Sequence, residues 1–289
     1  MPAFVPVEES SSAAAVLLLA VIQGLTEFLP VSSSGHLVLA RISMDLRDAG
    51  LALDVALHLG TLVAVVWAYR SELFQILVEV RGGNTRMVLW LALATVPIGV
   101  VGLSVRHLIE RAAQNSVVAG TGLLVTAAVL LLGERSRYAA EGTSAQDSSA
   151  SQGSVPGAGQ GPTYGRPSWA DAIWLGLAQA LAVVPGISRS GTTVAVGLMR
   201  KQSSEQAARL SFLMSIPAVA GAALVELPGA AREGIEGLSG GLVLTAIALS
   251  AFVGWAALRT LLLVLRRGAL RWFAGYCALL GSAALLFAR

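Results

Sequence analysis

Long apolar segments recur along the whole chain, and each is about as long as a helix that crosses a membrane. A spanning helix needs about 20 mostly apolar residues. Of the 289 residues, 55% are hydrophobic and only 13% are charged, whereas soluble domains usually carry about 25% charged residues. We therefore predict an all-α, polytopic membrane protein with about six transmembrane helices. The expected spans are 52–69, 87–103, 117–132, 207–225, 240–265 and 270–287.

Two further apolar segments are interrupted by turn residues, and we predict that each forms a re-entrant helical hairpin. The first, 13–42, is broken at Pro30 and continues into three serines, and the second, 169–199, is broken at Pro185 and Gly186. Proline ends a helix because it lacks an amide hydrogen. Irregular backbone at membrane depth is tolerated only where it is buried in protein or lines a wet cavity. Both segments therefore favour polar chemistry held inside a bilayer.

The two interrupted segments resemble each other at a constant offset of 156 positions. Gln23 aligns with Gln179, and Ser32 aligns with Ser188. Three spans in each half is an odd number, so the halves are expected to run in opposite directions as an inverted repeat. In such folds, paired broken helices indicate a binding site at the interface of the repeats.

The chain divides into two halves joined by a segment of low complexity. The first half is 1–132, the second is 169–289, and the segment 133–168 is rich in Gly, Ser, Ala and Pro. Such a composition favours a flexible linker. Basic residues are more numerous on the side of the linker, which predicts a cytoplasmic linker with both termini outside.

Composition also excludes several classes of function. The net charge of +3 comes almost entirely from arginines spread among the loops, so no nucleic-acid partner is expected. The single cysteine, Cys277, excludes an intrachain disulfide and a cysteine-based metal cluster.

The second interrupted segment has the residue types of a phosphate receptor. Residues 188–193 read Ser-Arg-Ser-Gly-Thr-Thr, which places one guanidinium among four hydroxyls at the expected start of a helix. A helix N-terminus attracts anions, and arginine can bind two phosphate oxygens at once. Gly186 lets the backbone approach closely. Two structural roles are the alternatives: Arg189 extends to the membrane interface, or it pairs with Glu27 only to stabilise the fold.

The first interrupted segment places an amide and a carboxylate on one helix face. Gln23 and Glu27 are four residues apart, so a helix brings them together. Oxygen ligands suit a hard cation such as Mg²⁺, which commonly binds one or two carboxylates plus substrate phosphates. Glu27 is alternatively a general base, or a buried carboxylate neutralised by Arg189.

The roles of two histidines are open from the residues alone. His36 follows the serines 32–34 and is a candidate nucleophile, general base or general acid, or a structural side chain. His58 lies one helical turn after Asp54 in the first span. His58 and Asp54 either line the same cavity or pair with each other.

At these two segments the sequence resembles the undecaprenyl-diphosphate phosphatases, the bacitracin-resistance family of integral membrane enzymes. The first motif reads Gln23-Gly-Leu-Thr-Glu27 and then Pro30-Val-Ser-Ser-Ser-Gly-His36, and the second reads Pro185-Gly-Ile-Ser-Arg-Ser-Gly-Thr-Thr193. Both motifs are complete and in the expected order. One departure is Gln23, where many members carry Glu, so a second anionic metal ligand is missing.

The resemblance implies hydrolysis of undecaprenyl diphosphate, a divalent cation such as Mg²⁺ or Ca²⁺, a site on the outer face of the bacterial inner membrane, and frequent dimers. It implies that Glu27, with Gln23, binds metal or that Glu27 acts as a base, that Ser33 and His36 share the nucleophile and base roles, and that Arg189 binds phosphate. The remaining residues expected at the substrate are Ser32, Ser34, Gly186, Ser188, Ser190 and Thr193.

A transporter or lipid flippase is the alternative interpretation. Inverted repeats and broken helices suit it equally well from architecture alone. A transporter needs no nucleophile, so release of inorganic phosphate distinguishes the two functions.

Overall fold

The computed structural model describes residues 8–44, 51–147, 167–233, 239–266 and 270–288. Every regular element in these ranges is a helix, as the sequence predicted. The helices are α1 (Glu8–Phe28), α2 (Ser33–Ser43), α3 (Leu51–Ala68), α4 (Arg70–Arg81), α5 (Arg86–Ser104), α6 (Arg106–Ala112), α7 (Ser116–Asp147), α8 (Trp169–Leu181), α9 (Arg189–Met199), α10 (Ser204–Glu233), α11 (Gly240–Arg266) and α12 (Leu270–Leu286).

Helix length and apolar character confirm a polytopic membrane protein. In the described ranges, four segments can each cross a bilayer alone: Arg86–Ser104, Ser116–Arg137, Ser204–Gly229 and Gly240–Leu265. Helices α3 and α4 form a fifth candidate that is bent by 71°. The sixth predicted span corresponds to α12, a shorter apolar helix of 17 residues, at the lower limit of the spanning range. The count by length and composition is therefore four to five.

Two short helical hairpins stand where the interrupted segments predicted them. Helix α1 ends before Pro30, and α2 begins after Ser32, whose Oγ accepts a hydrogen bond from the amide of Gly35 at 3.2 Å. In the second hairpin, Ser188 accepts from the amide of Gly191 at 3.0 Å and starts α9 in the same way. A serine N-cap satisfies one of the free amides of a first helical turn, so the same local device begins both returning helices.

The packing between the halves repeats in a crossed pattern. Helix α1 packs against α11, and α8 packs against α5. In each pair the two helices come close at a glycine. A Cβ at Gly24 would lie 2.8 Å from the carbonyl oxygen of Ser250, and a Cβ at Gly176 would lie 2.7 Å from the carbonyl oxygen of Ala94. Pairs of long helices, α3 with α10 and α7 with α12, join the two halves directly. The crossed pairing is the arrangement expected of an inverted repeat.

The largest apolar cluster surrounds the tips of both hairpins. It includes Phe28 and Val31 from the first hairpin and Val194 from the second. The ring of Phe28 meets that of Phe212 in α10 edge to face, with centroids 5.7 Å apart. Such aromatic pairs stabilise a core beyond their buried area. The two broken segments are therefore packed against each other in the interior.

The segment predicted as a linker is partly helical. Helix α7 continues through Asp147, well past Leu132, and residues 148–166 lie outside the described residues. Residue types such as Glu, Arg and Ala, which follow Leu132, are good helix formers outside the membrane as well as inside it. At the end of the segment, the indole of Trp90 donates to the carbonyl oxygen of Ser168 at 2.8 Å and fixes the start of α8.

Candidate active site

The two hairpins meet through an ion pair. Arg189, the first residue of α9, donates from Nη2 to Oε1 of Glu27 in the last turn of α1 at 2.6 Å. The two side chains are 13% and 8% exposed. The other terminal nitrogen of Arg189 donates to the carbonyl oxygen of Ser211 in α10 at 3.3 Å. The guanidinium is thus held by the first hairpin and by a long helix of the second half.

A serine hydroxyl and an amide approach the second oxygen of Glu27. Ser33 donates from Oγ to Oε2 of Glu27 at 2.7 Å, and Gln23 donates from its amide nitrogen to the same atom at 3.1 Å. The helical spacing of Gln23 and Glu27 explains that contact, whereas the contact of Ser33 depends on the turn at 29–32. A hydroxyl that donates to a carboxylate is arranged to lose its proton to it.

These residues border a cavity of about 360 Å³. Five residues predicted for the site line it: Glu27, Ser33, Ser34, Ser188 and Arg189. The rest of the lining includes apolar side chains such as Ile98 and Val219. The cavity also reaches α6, which lies between the spans α5 and α7. A cavity lined by both charged and apolar side chains fits a ligand that is charged at one end and hydrocarbon at the other.

Other predicted site residues lie behind the cavity, where they fix the turns. Ser190 donates to the carbonyl oxygen of Leu29 at 3.1 Å and ties one hairpin to the other. Thr193 is fully buried and meets the hydroxyl of Ser211 at 2.6 Å. Gly186 has a φ of 92°, and a Cβ there would lie 2.1 Å from the carbonyl oxygen of Ala119. These residues shape the site and are not among the described residues that line the cavity.

His36 also lies outside the lining of the cavity. Its Nδ1 is 2.7 Å from the carbonyl oxygen of Ser32, and its Nε2 is 2.8 Å from the hydroxyl of Tyr276 in α12. Both ring nitrogens are therefore engaged away from Glu27.

His58 is the histidine that faces the carboxylate. Its Nε2 lies 3.9 Å from Oε2 of Glu27, and its Nδ1 meets the carbonyl oxygen of Asp54 at 2.8 Å. The carboxylate of Asp54 pairs instead with Arg41 at the end of α2. Both His58 and Asp54 line the cavity. Of the two alternatives for this pair, lining the same cavity is therefore the one observed.

Sequence reasoning missed two acids that line the cavity, Glu110 in α6 and Glu226 in α10. The hydropathy pattern predicts loops at both positions. The only available signal was their position, since each lies close to the end of an apolar span on the side of the membrane predicted to carry the site.

The described residues do not form a site in which the protein alone holds a divalent cation. No three His, Cys, Asp or Glu side chains in the described ranges are close enough to share a metal ion. Both oxygens of Glu27 are already engaged by Arg189, Ser33 and Gln23. Gln23 turns its amide nitrogen to the carboxylate, and its buried oxygen has no partner among the described residues.

Comparison with known proteins identifies the family. A family model for the bacitracin resistance protein BacA matches residues 16–283. This chain belongs to the BacA family. It is 36% identical to the undecaprenyl-diphosphatase of Desulfatibacillum aliphaticivorans, over 94% of this chain and 97% of that protein. The undecaprenyl-diphosphatases of Korarchaeum cryptofilum and Mycolicibacterium vanbaalenii are 35% and 36% identical, each over 94% of this chain. The aligned regions cover 98% and 95% of those two proteins, respectively.

The match to the BacA family runs from within α1 to within α12 and so includes both broken segments and the long helices between and after them. In this BacA family chain, the two motifs recognised in the sequence are the segments that meet at the Glu27–Arg189 ion pair. The family resemblance stated from the motifs is therefore confirmed over almost the whole chain, and the enzyme class is favoured over the transporter.

Proposed function

We propose that this protein hydrolyses undecaprenyl diphosphate to undecaprenyl phosphate and inorganic phosphate in the bacterial cell membrane. That reaction recycles the lipid carrier of cell-wall synthesis and gives resistance to bacitracin. The observation that carries the proposal is the convergence of Ser33, Glu27 and Arg189 at a cavity whose lining also includes many apolar side chains. Membership of the BacA family and relatives named undecaprenyl-diphosphatase along the whole chain support it.

In this proposal Ser33 is the nucleophile and Glu27 is its general base. The hydroxyl of Ser33 already donates to Oε2 of Glu27 at 2.7 Å, which is within the range required for proton transfer. Ser32 is 2% exposed and Ser34 has no contact with Glu27 among those described. Ser33 is therefore the serine of the three with both a base and access to the cavity.

The reaction then has two steps. In the first, Oγ of Ser33 attacks the terminal phosphorus, the bond from that phosphorus to the bridging oxygen breaks, and undecaprenyl phosphate leaves. Glu27 takes the proton of Ser33 and releases it to solvent. In the second, water attacks the phosphoserine and the bond from phosphorus to Oγ breaks. Glu27 passes one proton from the water to Oγ, while the water oxygen, with its other hydrogen, stays bonded to phosphorus and leaves as part of hydrogen phosphate.

Arg189 supplies the principal positive charge in the proposed reaction. Phosphoryl transfer depends mainly on positioning and on neutralising charge, and a guanidinium can bind two phosphate oxygens. Ser34 and Ser188 line the cavity beside Arg189 and are placed to hydrogen-bond the phosphates. Apolar lining residues such as Ile98 and Val219 would accommodate the first part of the prenyl chain.

We further propose that a divalent cation, Mg²⁺ or Ca²⁺, arrives as its complex with the diphosphate. The diphosphate would supply most of the oxygen ligands, as is usual for Mg²⁺ in phosphoryl-transfer enzymes. This matches a site with one carboxylate beside the nucleophile and no protein cage in the described ranges.

The proposed location is the outer face of the inner membrane, with both termini outside and the central linker in the cytoplasm. The cavity reaches α6, which lies on the side assigned to the outside by the distribution of arginines. Homodimers are part of the same proposal, and cross-linking in native membranes tests them.

The decisive experiment measures phosphate release from a prenyl diphosphate by purified protein in detergent, with EDTA, Mg²⁺ or Ca²⁺. We expect cation-dependent release by the wild type and a loss of at least about 10³-fold in Ser33→Ala. Ser34→Ala removes a neighbouring hydroxyl of the cavity that is proposed to bind phosphate but not to attack it, so its loss of activity should be much smaller than that of Ser33→Ala. A folded wild type that releases no phosphate from any prenyl diphosphate would support a transporter instead.

A further inference from the structure

The backbone just before Ser33 is held in an unusual conformation. Ser32 has φ 69° and ψ 97°, which lies outside the regions that a residue with a side chain normally occupies. Such a conformation is costly and persists only where the surroundings hold it. Because Ser32 immediately precedes Ser33, its dihedral angles set the direction in which Ser33 leaves the turn.

His36 holds this backbone through its ring. Nδ1 lies 2.7 Å from the carbonyl oxygen of Ser32, and a carbonyl oxygen can only accept, so Nδ1 carries a hydrogen. In the neutral ring Nε2 then accepts from the hydroxyl of Tyr276 at 2.8 Å. One ring therefore donates to the turn and accepts from the last helix at the same time.

Tyr276 fixes the ring of His36 from α12. The two rings are nearly parallel, with an interplanar angle of 9° and centroids 5.6 Å apart. The contact joins residues 240 positions apart. Because α12 also packs along α7, the half-exposed ring of Tyr276 links the first hairpin to a helix of the second half.

The second hairpin contains the same hydrogen bond without a histidine. Thr192, at the position equivalent to His36, donates from Oγ1 to the carbonyl oxygen of Ser188 at 2.8 Å. Ser188 is equivalent to Ser32, and its backbone is extended, with φ −76° and ψ 118°. The hydroxyl of Thr192 also lies 3.3 Å from the carbonyl oxygen of Ala178 and 3.2 Å from that of Arg189. A threonine hydroxyl does not titrate near neutral pH, so in the second hairpin the hydrogen bond to Ser188 is purely structural.

We propose that His36 is a positioning residue and that Tyr276 is its partner: together they hold the strained Ser32 so that Ser33 points at Glu27. The inference rests on the proposed phosphatase reaction, in which Ser33 is the nucleophile. It assigns to His36 a donor hydrogen bond and not a proton transfer, and it gives a role in the reaction to a tyrosine in the last helix.

The test exchanges His36 for residues that keep or remove the donor. His36→Thr reproduces the hydroxyl of Thr192 in the second hairpin. His36→Val has nearly the shape of threonine but lacks the hydroxyl. His36→Asn is a second donor variant, in case the threonine does not fold. We measure kcat and KM for phosphate release, with thermal stability and gel filtration as checks of folding.

We expect a folded donor variant to keep kcat within about tenfold of the wild type, with KM little changed, and His36→Val to lose about 100-fold or more in kcat. Folded donor variants as inactive as Ser33→Ala would overturn the inference and leave the phosphatase itself intact. Equal activity of His36→Thr and His36→Val would also overturn it. A wild type without phosphatase activity would instead overturn the proposed function.

Tyr276→Phe tests the partner. The phenylalanine keeps the stacked ring and removes the hydroxyl, so we expect kcat to fall several-fold at constant KM. In the His36→Thr background the same change should have no further effect, because the hydroxyl then has no ring nitrogen to bond. Independent, additive effects of the two substitutions would contradict a role of Tyr276 through His36.

Discussion

The guanidinium of Arg189 and the carboxylate of Glu27 lie 2.6 Å apart in the interior of the molecule, although they belong to hairpins in different halves of the chain. Removing one partner of a buried ion pair leaves an uncompensated charge, which is costly. The same pair also borders the cavity next to Ser33, the proposed nucleophile, so we expect it to serve chemistry as well as structure.

Substitution of Arg189 separates these two roles. We expect Arg189→Ala to lower kcat/KM for phosphate release by about 10³-fold, because the charge that neutralises the phosphate is lost. Arg189→Lys keeps the charge but not the forked geometry, so its activity should be intermediate. Thermal stability of the lysine variant should stay near that of the wild type. Near-normal turnover by the alanine variant would contradict the phosphate-binding role.

Gly186 is expected to be intolerant of any side chain. Its φ is positive, and the carbonyl oxygen of Ala119 would lie only 2.1 Å from a Cβ at this position. Together these two features should make Gly186→Ala cost about 2 kcal/mol or more. That corresponds to a decrease in Tm of roughly 4 °C or more. Gly221→Ala is the control, since it is helical and has open space at its Cβ, and its Tm should change little or rise slightly.

Asp171 at the start of α8 should give a pH-dependent stabilisation. Burial raises its pKa, but the hydrogen bonds from Arg200 and Ser168 and the charge of Arg200 outweigh burial, so its pKa lies below the ordinary value. The carboxylate therefore stabilises the fold at pH above about 4, and this contribution disappears as the pH falls through the lower pKa of the folded state. The difference in Tm between wild type and Asp171→Asn should shrink below about pH 4. A difference that is constant with pH would contradict the ionic contribution.

The orientation in the membrane can be tested by cysteine labelling. In a Cys277→Ala background, Gln114→Cys lies after α6 and Gly82→Cys lies after α4, at opposite ends of the span α5. We expect a membrane-impermeant maleimide to label Gln114→Cys in intact spheroplasts and to label Gly82→Cys only after lysis. The reverse pattern would place the candidate site on the cytoplasmic side.

Much of the architecture could be predicted because it is encoded locally. Apolar runs give the long helices, and Pro30 and Pro185 give the breaks. The serine N-caps at Ser32 and Ser188 follow the same logic, since a helix start is determined by a few neighbouring residues. The extension of α7 past Leu132 was missed because loss of apolar character ends a membrane span but does not end a helix.

From the amino-acid sequence alone, the helical membrane character, the positions of the two hairpins and the residues of the motifs can be predicted. Which of those residues meet depends on the tertiary structure. Ser33, and not its neighbours, reaches Glu27; His36 turns to Tyr276, 240 residues away; and His58 takes the place beside the carboxylate. These contacts depend on how the two halves pack against each other. Packing between segments so far apart in the chain leaves no local sequence pattern, so it could not be predicted from the sequence.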